Sequence, residues 1–390
     1  MPHQSLAALF LRFFRFGWLA WGGPVAQIAM IQRELVDEQH WISPARFRRA
    51  LAVYQVLPGP EAHELCVYFG MVARGRIGAL LAGLGFMLPG FVLMSVLSVL
   101  YAQNTLATNE LRPVFVGLQA GVVALVVRAL FHIGHHSLHD RWLLAIAAIA
   151  CGASLLDVNF LVPLAFGGIA YLLLSRRSWW VAALLIALLV GWVGWIVVSG
   201  APSGSGDGVP APVLAPPSTW ALFASGLRSG MLTFGGAYTV IPFLQHDAVV
   251  AGAWMTNDQF LDGVALGGVL PAPLIIFATF VGYIGGGWPG LLAMTAGIFL
   301  PAFCFTLLGH GLFERLTANK AVHGFLDGVT ASVVGVMAAT TVGLLRAGVS
   351  DLSTACIALA ALAALWSWKG RAAVPIVVLA SGLVGWMLCR

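Results

Sequence analysis

Apolar segments long enough to cross a lipid bilayer recur along almost the whole chain. A helix needs about 20 mostly apolar residues to cross the hydrocarbon core. Hydrophobic residues make up 60% of the 390 residues and charged residues only 9%, whereas a soluble domain carries about 25% charged residues. The sequence therefore predicts an all-α polytopic membrane protein. We predict thirteen spans, at residues 6–31, 47–73, 77–101, 113–133, 142–156, 158–174, 179–199, 219–244, 260–284, 288–313, 325–345, 351–366 and 372–389.

The basic residues are distributed as in a membrane protein. A net charge of +5 would also fit a nucleic-acid-binding protein, but the arginines and lysines form no basic stripe. They occur in pairs between apolar segments, at Arg74 and Arg76, Arg176 and Arg177, Arg315 and Lys320, and Lys369 and Arg371. Such pairs are typical of the positive-inside rule. We therefore expect the lipid bilayer, and no nucleic acid, as a partner, while the sequence leaves a homodimer open.

The two halves of the chain are related in sequence. A shift of 213 residues aligns 9–60 with 222–273 without a gap, and seventeen of the 52 aligned positions are identical. Unrelated apolar chains would share roughly one position in ten. The identities include residue types that an apolar composition does not supply, such as Arg15 and Arg228, Gln32 and Gln245, Trp41 and Trp254, Pro58 and Pro271, and Pro60 and Pro273.

A linker rich in glycine and proline separates the halves. Residues 200–218 read GAPSGSGDGVPAPVLAPPS, a composition typical of a flexible linker. We predict domains at 1–199, with an additional helix at 179–199, and at 219–390. Seven spans precede the second repeat, so it is expected to insert in the opposite orientation, as in many secondary transporters. The loop at 32–49 holds four arginines and fits this topology poorly, so segment 6–31 could instead enter the membrane without crossing it.

A pair of prolines interrupts one span in each half. The two sequences are Leu57-Pro58-Gly59-Pro60 and Leu270-Pro271-Ala272-Pro273. Proline removes an amide donor and clashes with the preceding helical turn, and the freed backbone groups then need protein or water partners. Two broken helices at matching positions indicate a substrate site near the middle of the membrane, where a helix N-terminus would favour an anion. A proline kink with a packing role only is the alternative.

Paired glycines lie within the first apolar segment of each half. The sequences are Trp21-Gly22-Gly23-Pro24 and Phe234-Gly235-Gly236-Ala237. Glycine permits positive φ and the close approach of a ligand, although tight helix packing explains the pairs equally well. Arg15 and Arg228 precede these turns. An arginine within a span usually faces the protein interior or a water path, and its forked donors fit an oxyanion; the alternative is that it reaches the headgroups.

Two carboxylates follow the first break but not the second. Glu61 and Glu64 are three residues apart and share a helix face, whereas Leu274 and Phe277 occupy the matching positions. Carboxylates within a span suggest a proton relay. The alternative is structural ion pairing with Arg12, Arg15 or Arg74.

Four histidines have the spacing of a metal site. His132, His135, His136 and His139 fall on one helix face, an arrangement that can bind zinc or nickel. They lie at a predicted membrane edge, however, and Asp140 is the one acidic residue that joins them. A solvated helix end is the simpler explanation, so we predict neither a metal nor another cofactor.

Several motifs together carry a family resemblance. They are residues 16–24 (FGWLAWGGP), 55–70 (QVLPGPEAHELCVYFG), 83–90 (GLGFMLPG), 233–236 (TFGG) and 270–273 (LPAP). In this combination the chain resembles the chromate ion transporter family, in its long form with two homologous halves, over nearly its whole length. The resemblance implies proton-coupled export of chromate across the bacterial inner membrane, hence chromate resistance, with sulfate as the competing analogue.

The predicted site combines the turns, the breaks and the two arginines. We expect substrate binding by Arg15, Gly22, Gly23, Pro24, Gln55, Pro58, Gly59, Pro60, Arg228, Gly235, Gly236, Pro271 and Pro273. Glu61 and Glu64 are expected to couple protons. The sequence contains no GxxxxGK[ST] nucleotide-binding motif, so an ion gradient would drive transport. A carrier for sulfate or another oxyanion, a passive channel, and a membrane metalloenzyme built on the histidines stay open as alternatives.

Overall fold

The computed structural model describes residues 5–55, 57–103, 110–156, 158–175, 191, 216–317, 319–368, 370 and 372–389. All regular secondary structure in these residues is helical. The predicted helix at 179–199 and the linker at 200–218 lie almost entirely outside the described residues. The α-helices are α1 (Leu6–Trp18), α2 (Gly23–Ile31), α3 (Pro44–Tyr54), α4 (Glu61–Ala102), α5 (Arg112–Ser137), α6 (Arg141–Leu155), α7 (Leu161–Ser175), α8 (Thr219–Met231), α9 (Ile241–Gln245), α10 (Asn257–Val269), α11 (Phe277–Thr317), α12 (Lys320–Gly348), α13 (Leu352–Ser367) and α14 (Ala373–Leu388).

Local structure repeats along the chain with the spacing found in the sequence. Ser5 precedes α1 and Ser218 precedes α8, and each hydroxyl accepts a hydrogen bond from the amide three residues on. Such N-caps satisfy one of the free amides of a helix start. A π-helix follows α2 at Gln32–Glu38, and another follows α9 at His246–Ala251. The halves are therefore related in local fold as well as in sequence.

The first predicted span of each half is divided into two helices. Between α1 and α2, Gly22 has φ +88° and Gly23 has φ +77°, a region that favours glycine. Pro24, in the first turn of α2, has no amide with which to continue α1. Segment 6–31 is therefore not one helix, and 219–244 is divided in the same way. α1 has 13 residues, or about 20 Å of helix, which is too short for a hydrocarbon core of about 30 Å.

The helix that follows each break forms a hairpin. The backbone of Arg74 and Gly75 leaves helical geometry within α4, and the chain reverses there. A Cβ at Gly70 would lie 2.3 Å from the carbonyl oxygen of Gly78, whereas eight residues of straight helix span about 12 Å. α11 reverses in the same way at Gly287, which has φ +58°. The predicted loops between spans two and three are thus tight glycine turns.

Several helices are long and apolar enough to cross a membrane. Among the described residues these are Glu61–Ala102, Arg112–Ser137, Leu274–Leu307 and Ala321–Gly348, with shorter apolar helices at Arg141–Leu155, Leu161–Ser175, Leu352–Ser367 and Ala373–Leu388. The short spans predicted at 142–156, 158–174 and 351–366 are therefore each a separate helix. Large apolar side chains point outward from them, for example Leu359 at 67% and Leu383 at 62% exposure. Such exposed apolar faces fit a lipid environment.

The short helices α6 and α13 each begin at an aspartate. Asp140 accepts hydrogen bonds from the amides of Trp142 and Leu143, and Asp351 accepts one from the Thr354 amide at 2.7 Å. The Thr354 backbone bond is the main cause that lowers the pKa of Asp351 below its usual value. These caps fix where each helix begins.

The chain forms two compact units, and each unit contains residues of both sequence halves. The first comprises Met1–Arg128, Ala215–His310 and Leu344–Arg390, and the second Ala129–Leu214 and Gly311–Gly343. In the first unit, α5 packs on α14, where a Cβ at Gly117 would lie 2.2 Å from the Ser381 carbonyl oxygen.

The second unit repeats this contact with the halves exchanged. There α12 packs on α7, where a Cβ at Gly328 would lie 2.2 Å from the Gly167 carbonyl oxygen. Leu143 and Ile146 of α6, Ala170 of α7 and Ala331 of α12 form the buried core beside it. The last helices of each half therefore pack against a helix of the other half.

The hairpin of α4 predicts a steric test. In Gly70→Ala, the new methyl would lie 2.3 Å from the Gly78 carbonyl oxygen and 2.6 Å from the Ala82 Cβ. Overpacking of this kind costs about 1–3 kcal/mol, so the midpoint of thermal unfolding in detergent, followed by tryptophan fluorescence, should fall. Gly152→Ala in α6 is the control, because a Cβ there meets no atom within 4 Å. Equal midpoints for the two variants would contradict the hairpin.

Candidate functional site

The two proline pairs end helices in both halves, as predicted. Break 1 (residues 57–60) lies between α3 and α4. Break 2 (residues 270–273) lies between α10 and a 3₁₀ turn, Leu274–Ile276, that leads into α11. The four prolines of the breaks are buried. Irregular backbone at membrane depth is tolerated only where protein or water satisfies its polar groups, so the contacts of the breaks decide what they can do.

Break 1 is bonded to the glycine turn of the other half. The Gly59 amide donates a hydrogen bond of 2.8 Å to the carbonyl oxygen of Thr233. Thr233 begins turn 2 (residues 233–237), in which Gly235 has φ +80° and Gly236 has φ +115°. Gly59 itself has φ +149°. Break 1 and turn 2 therefore form one element built from both halves.

Break 2 meets the glycine turn of the first half. Turn 1 (residues 20–24) and break 2 line a common cavity, to which turn 1 contributes Trp21, Gly22 and Gly23 and break 2 contributes Leu270 and Ala272. The Gln27 side chain holds turn 1 by donating a 2.9 Å hydrogen bond to the Ala20 carbonyl oxygen. None of the described residues that line the cavity carries a charge. Each turn thus lies beside the break of the opposite half.

Arg15 and Arg228 form matching ion pairs inside their own halves. Arg15 pairs with Glu34, and Arg228 pairs with Asp247. The two acids lie on the two π-helices and are related by the 213-residue shift. The alignment contained this signal, since both positions are acidic, but sequence reasoning considered only identical residues and missed the pair. Neither arginine lines the cavity between turn 1 and break 2.

The two ion pairs differ in their second donor. Glu34 also accepts from Arg12, at 3.3 Å, whereas Asp247 also accepts from the Ser225 hydroxyl, at 2.6 Å. The first cluster therefore holds two cations and one anion, and the second holds one of each. The Arg228 charge is balanced, and that of Arg15 is shared within a cluster of net charge +1.

Glu64 faces break 1 without an ion-pair partner. It is fully buried, and neither carboxylate oxygen has a hydrogen-bond partner among the described residues. Its Oε1 lies 2.8 Å from the position that a Cβ would take at Gly59. Glu61 is half-buried one turn before it. Burying a charge without a partner is costly, so an acid here is suited to binding and releasing a proton.

Two of the three arginines considered as structural partners of these acids have another partner. Arg12 and Arg15 pair with Glu34 instead. His63, next to Glu64, is fully buried between the rings of Phe299 and Phe303, with ring centroids 5.0 and 4.9 Å away. The start of α4, which carries both acids, therefore lies against apolar side chains.

The remaining predicted residues are spread around these elements. Gln55 is exposed at the end of α3, and Pro24 is half-buried in the first turn of α2. No group of three or more possible metal ligands occurs in the described part of the chain, which includes the histidines of α5. One ring nitrogen of His136 instead lies 2.8 Å from the His132 carbonyl oxygen.

Comparisons with known proteins show the family of the chain. The family model described as "Chromate transporter" matches twice, at residues 7–192 and 220–386. A chromate transport protein of Pseudomonas aeruginosa is 51% identical over 99% of this chain and 93% of that protein. One of Cupriavidus metallidurans is 30% identical over 98% of this chain and 93% of its own length.

A more distant relative comes from an archaeon. An uncharacterized transporter of Methanocaldococcus jannaschii is 26% identical over 87% of this chain and 84% of that protein. No solved structure matches the chain. Because the family model covers both halves, the chain belongs to the chromate transporter family, whose members are membrane proteins.

Proposed function

We propose that the chain is a secondary transporter that exports chromate from the cytoplasm, coupled to protons, and so confers chromate resistance. The observation that carries the proposal is the exchange of partners between the halves, in which each broken helix lies beside the glycine turn of the other half. Broken helices at a repeat interface are the usual substrate site of secondary transporters. Chromate as substrate is taken from the relatives that bear its name.

The breaks suit an anion. Pro60 precedes α4 and offers no side-chain cap. Its carbonyl oxygen accepts from the amides of His63 and Glu64, so the amides of Glu61 and Ala62 are the ones that we propose for a ligand or water. The helix dipole adds partial positive charge at the same end. Turn 2, bonded to Gly59, brings the backbone of the other half to this helix start. We propose the glycines and prolines of both turns and both breaks as substrate contacts.

Glu64 would link substrate binding to protons. An ionised carboxylate beside break 1 repels a dianion, and a protonated one does not. Proton binding and chromate binding therefore influence each other, and this influence is reciprocal. Glu61, half-buried on the same helix face, would pass protons to or from Glu64. The second half lacks both acids, since Leu274 and Phe277 stand in their places, so one half does the coupling.

Inside-out vesicles test substrate, direction and coupling together. We expect chromate uptake that rises when the vesicle interior is acidified, falls when a protonophore is added and is reduced by excess sulfate. Uptake that ignores the proton gradient would indicate a channel. Uptake that occurs only in right-side-out vesicles would contradict export, and transport of sulfate without chromate would contradict the substrate.

Replacing Glu64 tests the coupling separately. In Glu64→Gln we expect chromate binding to remain while the acceleration of transport by a proton gradient is lost, because the amide cannot release a proton. The matched control is Glu38→Gln, which removes a half-exposed carboxylate that pairs with Arg33 on the protein surface. Gradient-driven transport at the wild-type rate in Glu64→Gln would rule out Glu64 as the coupling acid.

A further inference from the structure

A dianion needs positive charge, and the cavity between turn 1 and break 2 has none in its described lining. The sequence predicts that Arg15 and Arg228 bind the substrate. In the structure Arg228 forms an ion pair with Asp247, and Arg15 forms one with Glu34. A substrate site at this cavity therefore requires a cation that its lining and these ion pairs do not supply.

Arg128 is such a cation. It lies within Arg112–Ser137, one of the helices apolar enough to cross a membrane, where an arginine is costly and usually functional. Unlike Arg15 and Arg228, it has no carboxylate within ion-pair distance among the described residues.

The helix face that carries Arg128 is directed at the cavity. Ala124 and Leu125 precede it by four and three residues and so lie on the same face. Both are 2% exposed and form part of the buried core against which Tyr238 packs. The Leu125 Cδ2 also lies 3.8 Å from the position of a Cβ at Gly268, a lining residue.

Tyr238 connects this helix face to the cavity. Its side chain is part of the lining, and its hydroxyl lies 3.6 Å from the position that a Cβ would take at Gly23 in turn 1. Arg128 follows Leu125 by one helical turn, and Leu125 belongs to the buried core against which the Tyr238 side chain packs. No described residue forms a hydrogen bond with the Tyr238 hydroxyl, so its donor is available to a ligand.

We propose that Arg128 and Tyr238 bind the oxyanion at the cavity lined by turn 1 and break 2. The guanidinium supplies the charge and forked donors that match a tetrahedral oxyanion, and the phenol supplies one further hydrogen bond. The inference rests on the proposed function and names the residues that recognise its substrate class. Val25 stands at the repeat position of Tyr238, so the pair occurs once and the two halves contribute unequally.

Direct binding to the full-length protein in nanodiscs tests the pair. Radiolabelled chromate is titrated into wild type, Arg128→Gln, Arg128→Lys and Tyr238→Phe, with sulfate and molybdate as competitors. Because hydrogen bonds to charged groups are the strong ones, Arg128→Gln should weaken binding at least about tenfold. Arg128→Lys should retain part of the affinity, and Tyr238→Phe should weaken it by about threefold or more. The control is Arg346→Gln, which replaces an exposed arginine near the end of α12 and should bind as wild type does.

Each outcome decides for or against the pair. Wild-type affinity in a monodisperse Arg128→Gln protein would overturn it, as would equal losses in Arg128→Gln and Arg346→Gln. If Arg128→Gln does not fold, wild-type affinity in both Arg128→Lys and Tyr238→Phe would overturn it. If wild type binds sulfate or molybdate but not chromate, and Arg128→Gln loses that binding, the pair stands and the proposed substrate falls. If wild type binds none of the three anions, both the proposed binding pair and the proposed substrate are contradicted.

Discussion

Backbone polar groups at membrane depth must find partners, and this requirement shapes the described structure. The prolines of each break and the glycines of each turn interrupt helices, which leaves amides and carbonyls free. The Gly59 amide is satisfied by the Thr233 carbonyl, 174 residues further along the chain. Turn 1 and break 2 line a common cavity. Within the first compact unit, break 1 of one half is therefore bonded to turn 2 of the other half.

Some charged and polar residues occur in both halves, and others occur in one half only. The matching pairs Arg15–Glu34 and Arg228–Asp247 hold the π-helices to the first helix of each half, which is a symmetric structural role. Glu64 and Tyr238 have no counterparts, because Phe277 and Val25 occupy the repeat positions. The residues that occur in both halves therefore have a structural role. Glu64 and Tyr238, which occur in one half only, carry the chemistry that we propose.

Much of this could be predicted from residues close together in sequence. The proline pairs had to end helices and the glycine pairs had to form turns, since these effects depend on local backbone geometry. The membrane class followed from composition. The reversal at Gly75 matches the predicted loop between the spans at 47–73 and 77–101, where Arg74 and Arg76 interrupt the apolar run. Its tightness could not be predicted, because it depends on the packing of Gly70 against Gly78. The partners of Arg15 and Gly59 depend on contacts between distant segments, which a single sequence does not display.

A chromium anomalous difference map from crystals grown with chromate would test most directly whether turns and breaks of opposite halves form the substrate site. We expect one chromium peak at the cavity bounded by turn 1, break 2 and Tyr238, within hydrogen-bonding reach of Arg128. A peak at the Arg15–Glu34 or Arg228–Asp247 pair, with none near the breaks, would contradict it and would place substrate binding on the symmetric arginines.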